Sequence, residues 1–170
     1  MTMFKRADPD VVATFTHTEA QVLRQCVAEL AALLGDEMDH DDPAVERLFP
    51  DVYPEDPDEA AEFRRLTEPD LVAAKIEHAK VVLSDLLEAG SDEDGQEIRL
   101  DDERADQWLR ALNDVRLALG TRLGIEDDTE IEAEIDAAVG RNPTSPRAGQ
   151  LSVYAYLTYL QESLVGALAS

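Results

Sequence analysis

Apolar residues recur at helical spacing through most of the chain, and that periodicity constrains the fold more than any single motif does. Val22, Leu23, Cys26, Val27, Leu30, Leu33 and Leu34 form one wide stripe, the pattern of a helix with one face in a core. Thr16 stands three residues before Glu19, the spacing of a capping box, and Gly35 closes the stripe. A second helix is expected over 58–66, with Phe63 and Leu66 together. Thr67 then reads as a cap and Pro69 as the first residue of a third helix, over 69–89. Its apolar face holds Leu71, Val72, Ile76, Ala79, Val82, Leu83, Leu86 and Leu87. A fourth helix opens at Asp101 or Asp102 and ends near Gly124. A weaker fifth carries Ile131, Ile135 and Val139 behind an acidic first turn, and an apolar last helix runs to about Leu168.

Between these helices the signals change. "VVATF" at 11–15 is β-branched and aromatic, and "EIRL" at 97–100 alternates, so the two are expected to pair as a short ribbon. The segment 35–57 is a proline-rich acidic loop with at most one helical turn, Pro43–Leu48, and 140–149 is a linker. The fold class is therefore mainly α: a five- to six-helix bundle with a minor two-stranded β-ribbon, in one domain over 1–170.

Charge then narrows the function classes. Fifteen lysines and arginines face 38 aspartates and glutamates, a formal net charge of −23. Such a molecule is repelled by duplex nucleic acid and by anionic membrane surfaces unless it carries a local basic patch, and there is no Lys/Arg run. A basic protein partner is compatible; so is a purely solubilising role. The single cysteine, Cys26, excludes an internal disulfide and a CxxC pair. With no apolar leader and no long apolar run, the expected location is the cytoplasm.

Two blocks carry a family likeness. "LFPDVYPEDPDEAAEFRRLTEPDLVAAK" and "WLRALNDVRLALGTRLGIEDD" resemble an uncharacterised actinobacterial (high-GC Gram-positive) family catalogued only as a domain of unknown function. The resemblance implies a small cytoplasmic helical protein. Its members are often encoded beside the ClpS-type adaptor of the Clp protease and near a metallopeptidase gene, and some are labelled regulators. It brings no catalytic residues.

The chemistry-bearing residues are few. At about 100° per residue, Arg116 falls inside the apolar face of Trp108, Leu109, Leu112, Val115, Leu119 and Leu123, and Lys75 points between Val82 and Leu86. Cations so placed must snorkel or meet carboxylates. Glu59 and Glu62 on the second helix, with Asp70, are the expected partners, Arg116 being buried against Glu59 or Glu62. The functional alternative is a pocket in which Arg116, Arg64 and Asn113 grip an anionic ligand or partner. "GSDEDGQEIRLD", 90–101, half-matches a calcium loop through Asp92, Asp94 and Gly95. It lacks the first ligand and has Asp101 in place of the final Glu, so it reads as an acidic turn. "GDEMDHDD", 35–42, places His40 among five carboxylates in a loop without ordered ligand spacing. His17 and His78 have no partner at triad or metal spacing, and no phosphate loop or nucleophile elbow occurs.

On the last helix Val153, Leu157, Leu160, Leu164 and Leu168 face a core, while Ser152, Ala155, Tyr159, Ser163 and Gly166 form a small-residue face suited to a close partner or a homodimer. No catalytic residue, cofactor or metal ligand is assigned. The sequence reads as a non-enzymatic acidic helical protein, a regulatory or protein-interaction module. Its expected output is regulated proteolysis or transcription, the proteolysis link being what the resemblance implies. The alternative is a small-ligand sensor or enzyme built around Arg116 and Lys75.

Overall fold

The computed structural model describes residues 3–89, 93 and 95–170. Among them the order is β1 (Lys5–Ala7), β2 (Asp10–Phe15), α1 (His17–Leu33), α2 (Pro43–Leu48), α3 (Pro57–Glu88), β3 (Gln96–Leu100), α4 (Asp102–Leu123), α5 (Ile131–Arg141) and α6 (Pro146–Ala169). The fold is mainly α, with six helices and a small antiparallel sheet.

The ribbon has three strands, not two. β2 pairs with β3, as expected of the two segments, and the register runs from Val11↔Leu100 to Phe15↔Gln96. β1 adds itself on the other side through a turn at Asp8 and Pro9. "KRA" carries no strand propensity; what holds it is Phe4, just before it, which is buried. Phe4 meets Phe15 and Trp108 edge-on with centroids 5.9 Å apart, and Phe15 stacks on Trp108 at 6.0 Å. This aromatic trio fixes the sheet to α4.

The expected second and third helices are one. α3 runs unbroken through Pro69, whose absent N–H leaves the carbonyl four residues back without its usual donor. Thr67 does not cap anything: its hydroxyl donates to the Phe63 carbonyl one turn back, at 2.8 Å. The other caps follow the sequence. Thr16 and Glu19 form the complete capping box of α1, Asp101 caps α4, and Gly124 ends it in the left-handed conformation at φ 72. The linker shrinks to 142–145, because α5 extends to Arg141 and α6 starts at Pro146.

α4 is central. It packs against α2, α3 and α6, with Trp108, Leu112 and Ala111 fully enclosed. Leu157, Leu160 and Leu164 of α6 are equally enclosed, as their stripe requires. A smaller apolar cluster, Leu123, Ala138, Ala148 and Leu151, joins α5 to the end of α4 and the start of α6. No described helix is long and apolar enough to cross a membrane.

Candidate functional site

The residues expected to form one polar cluster lie in separate places. Lys75 donates to Asp114 of α4 at 2.9 Å and sits 5.7 Å from the centre of the Phe49 ring. Asp114 keeps only 5% of its side-chain surface exposed and Lys75 22%, so this ion pair between α3 and α4 is enclosed on its acidic side and partly open on its basic side. Arg64 reaches Asp51, and its Nε lies 3.5 Å from Glu68. Glu62 pairs with its neighbour Arg65 on the exposed side of α3. Glu59 is exposed, and the Asn113 side chain accepts from Gln161 of α6 at 3.3 Å.

Arg116 corrects the expectation most sharply. It is half-buried, and it meets neither Glu59 nor Glu62. Among the described residues no carboxylate pairs with it, and its Nε is shut off from solvent without an acceptor. The physical reason is the rotation of α4. Asp114 points toward α3 and takes the cation there, whereas Arg116, two residues on, turns about 200° away. It opens instead into a cleft of about 530 Å³ between α4, the 125–131 segment and α6. Leu117, Ile125 and Ile131 give the cleft apolar walls, Tyr154 and Ala155 its α6 side, and Arg47 and three carboxylates, Glu126, Asp127 and Glu132, its exposed rim. Gly120 lets the Tyr154 ring pack close to α4. A Cβ there would meet the Tyr154 ring at 3.0 Å.

Two polar knots escaped the sequence. Asp85, almost fully buried, accepts from the Trp108 indole N–H at 2.8 Å and from Arg104. That hydrogen bond raises the Arg104 pKa above its ordinary value. His40 Nε2 lies 2.5 Å from Glu68 Oε1 and pins the 35–42 loop to α3. Asp85 and Asp114 look like ordinary solvated charges beside Leu86 and Val115, and only the spatial facing of α3 and α4 encloses them. His40 had a visible signal, its place amid acids, but its partner comes from 28 residues downstream.

The remaining candidates are placed as follows. Gly90, Asp92 and Asp94 of the calcium-like loop lie outside the described residues. Asp101 is spent on capping α4, and Glu97 faces Arg99 along β3. Among the described residues no group of three or more His, Cys, Asp or Glu side chains is placed to hold a metal. The α6 small-residue face is shared out. Ser163 accepts from the Phe4 N–H at 3.1 Å, Ala155 lines the Arg116 cleft, and Ser152 and Gly166 are exposed. Cys26 is half-buried, and burial, aided by the Glu29 carboxylate, pushes its thiol up to about 11.

One surface had no forecast. Between 51 and 70 the chain holds eight carboxylates against two arginines, both of them paired. Within that stretch Leu66 is 64% exposed, Phe63 37% and, just beyond it, Leu71 48%. Val52 and Tyr53 are exposed alongside, Tyr53 edge-on to Phe63 at 5.9 Å. A hollow of about 240 Å³ lies beneath Phe63 and Leu71.

Comparison with known proteins adds kinship to this geometry. The family described as Domain of unknown function (DUF2017) matches residues 1–168. The candidate oxidative stress regulator AosR of Mycobacterium leprae (strain TN) is 37% identical over 142 residues, covering 75% of this chain and 59% of that protein. The oxidative stress regulators AosR of Mycobacterium bovis and Mycobacterium tuberculosis (strain H37Rv) are each 35% identical over 137 residues. Those stretches cover 73% of this chain and 57% of theirs. The chain thus spans 57% to 59% of the length of these curated relatives. No solved structure matches it.

Proposed function

The chain belongs to the DUF2017 family, and from that premise we propose that it is a non-enzymatic regulatory module. It acts in the cytoplasm by binding another protein, within a response to oxidative stress. Its output is transcription or regulated proteolysis. The observation that carries this reading is the exposed apolar surface of Val52, Phe63 and Leu71 around one hollow beside the most acidic stretch of α3. Large apolar side chains grouped on a surface mark contact sites more often than they mark accidents. Their acidic surroundings favour a partner segment that is both apolar and basic.

The names carried by the relatives support the stress response. The chemistry of this chain supports a role for it downstream of the oxidant. One cysteine cannot form an internal disulfide, and a thiol held near 11 carries almost no thiolate at neutral pH. We favour a partner on α3 over a second copy on α6, because the Phe4 N–H, just before β1, already binds Ser163 there.

The test is a cell in which the native gene is replaced by the Val52→Glu/Leu71→Glu form, compared with a deletion under peroxide challenge. Both side chains are exposed, so the variant folds and accumulates normally. It is expected to be as peroxide-sensitive as the deletion. Full resistance in the deletion strain would remove the stress role; full resistance in the variant alone would remove this surface.

A further inference from the structure

We infer that the Arg116 cleft binds a small zwitterion of the aliphatic amino-acid type, its carboxylate inward on Arg116 and its amine outward at the rim. This inference is independent of the protein-binding surface on α3. Its first support is Arg116 itself. In a chain with 38 acidic residues, the half-buried Arg6, Arg64, Lys75, Arg104 and Arg147 each meet a carboxylate. Among the described half-buried cations Arg24 and Arg116 do not, and of these two Arg116 lines the cleft, with its Nε desolvated and unsatisfied. A guanidinium left in that state is matched by a planar oxyanion, which it grips through two parallel bonds.

The second support is the order of polarity along the cleft. Glu126, Asp127 and Glu132 are exposed at the mouth, and Arg116 lies deeper. A simple anion would be drawn inward and repelled at the entrance, with exposed Arg47 offsetting only part of that repulsion. A simple cation would meet the opposite gradient. A molecule with its negative end inward and its positive end outward satisfies both. Leu117, Ile125 and Ile131 between the two ends provide an apolar wall for an aliphatic side chain. The cleft, at about 530 Å³, falls within the range of small-molecule sites, roughly 300–1,000 Å³.

The probe is L-leucine, titrated into the intact chain and followed by amide shifts in two-dimensional NMR. Two half-molecules accompany it: 4-methylpentanoate, which lacks the amine, and 3-methylbutylamine, which lacks the carboxylate. Leucine is expected to produce saturable shifts at Leu117, Ile125 and Ile131. Each half-molecule should bind at least about tenfold more weakly, the loss of one charge-assisted contact. Arg116→Gln should abolish saturation while leaving the thermal midpoint near that of the wild type. The exposed double variant Asp127→Asn/Glu132→Gln should weaken leucine toward the level of 4-methylpentanoate. The inference is overturned by any of three results: no saturation by leucine through the high-millimolar range, leucine binding that survives Arg116→Gln, or 4-methylpentanoate binding as tightly as leucine.

Discussion

Asp114 and Arg116 stand two residues apart on α4, one acidic and one basic and both drawn into the protein, yet their surroundings are opposite. Asp114 faces α3 and is neutralised by Lys75 at 2.9 Å behind the Phe49 ring. Arg116 faces the α6 side and meets an open cleft with no counter-ion. The α3–α4 seam is closed and electrically balanced, which ties it to stability. The α4–α6 cleft keeps an unbalanced charge behind an accessible mouth, which suits it to binding. A helix at the centre of a bundle can serve both purposes because adjacent positions look toward different neighbours.

The seam should yield the largest effects. Lys75→Ala leaves a nearly enclosed carboxylate without its cation, and urea unfolding should show a loss of about 3–5 kcal/mol. Asp114→Ala should cost less, because the Lys75 ammonium, still partly exposed, can reach water along its own stem. Equal losses from the two variants would mean that the seam is wetter than the burial of Asp114 implies. Asp85 comes next. In Asp85→Ala the Arg104 side chain, 42% exposed, rehydrates, but the enclosed Trp108 indole N–H loses its acceptor, for about 1–3 kcal/mol. Asp85→Asn should recover most of that loss, since an amide oxygen can still accept from the indole. No recovery would shift the importance of Asp85 from Trp108 to Arg104.

Much of this division was legible in the sequence, and the parts that were not share a cause. Stripes and caps depend on neighbours a few residues away, and they emerged as the spacing of Val22–Leu34 or the Thr16–Glu19 box implies. The awkward placement of Lys75 and Arg116 was also visible. Their partners were not, because partner choice depends on how α4 is rotated against α3, a long-range property that no local period encodes. Asp114 was overlooked for the same reason. Pro69 misled in another way: local chemistry argued for a break between two helices, and the packing of a continuous α3 overrode it. β1 had no local signal at all; its place depends on Phe4 reaching Phe15 and Trp108.

A third side of α4 offers a milder test. Cys26 of α1 lies over Val115, Ala118 and Leu119, and its pKa is raised from 9.0 to about 11. The folded state therefore holds the thiol proton more tightly than the unfolded chain does. The resulting stability is complete below about pH 9 and is lost as pH rises through about 11. Comparing wild type with Cys26→Ala isolates this contribution. The stability difference between the two should be constant at neutral pH and drift only in that alkaline window. Iodoacetamide should label the native thiol slowly at neutral pH. Rapid labelling there would indicate a thiolate far more accessible than its surroundings allow.

The smallest effect is expected at Arg116. Had Arg116 been locked to a carboxylate of α3, its removal would resemble that of Lys75. With no partner to orphan, Arg116→Met removes a half-desolvated charge and keeps a stem of similar length against Leu117 and Tyr154. The desolvation relieved and the packing lost oppose each other, so the net change in urea unfolding should stay within about 0.5 kcal/mol. Lys75→Met, measured beside it, supplies the contrast: the same replacement on the seam leaves Asp114 unpaired and should cost several times more. A loss at Arg116 as large as that at Lys75 would mean that a carboxylate closes over the cleft in solution. The two faces of α4 would then be alike, and the cleft would hold no free cation for a ligand.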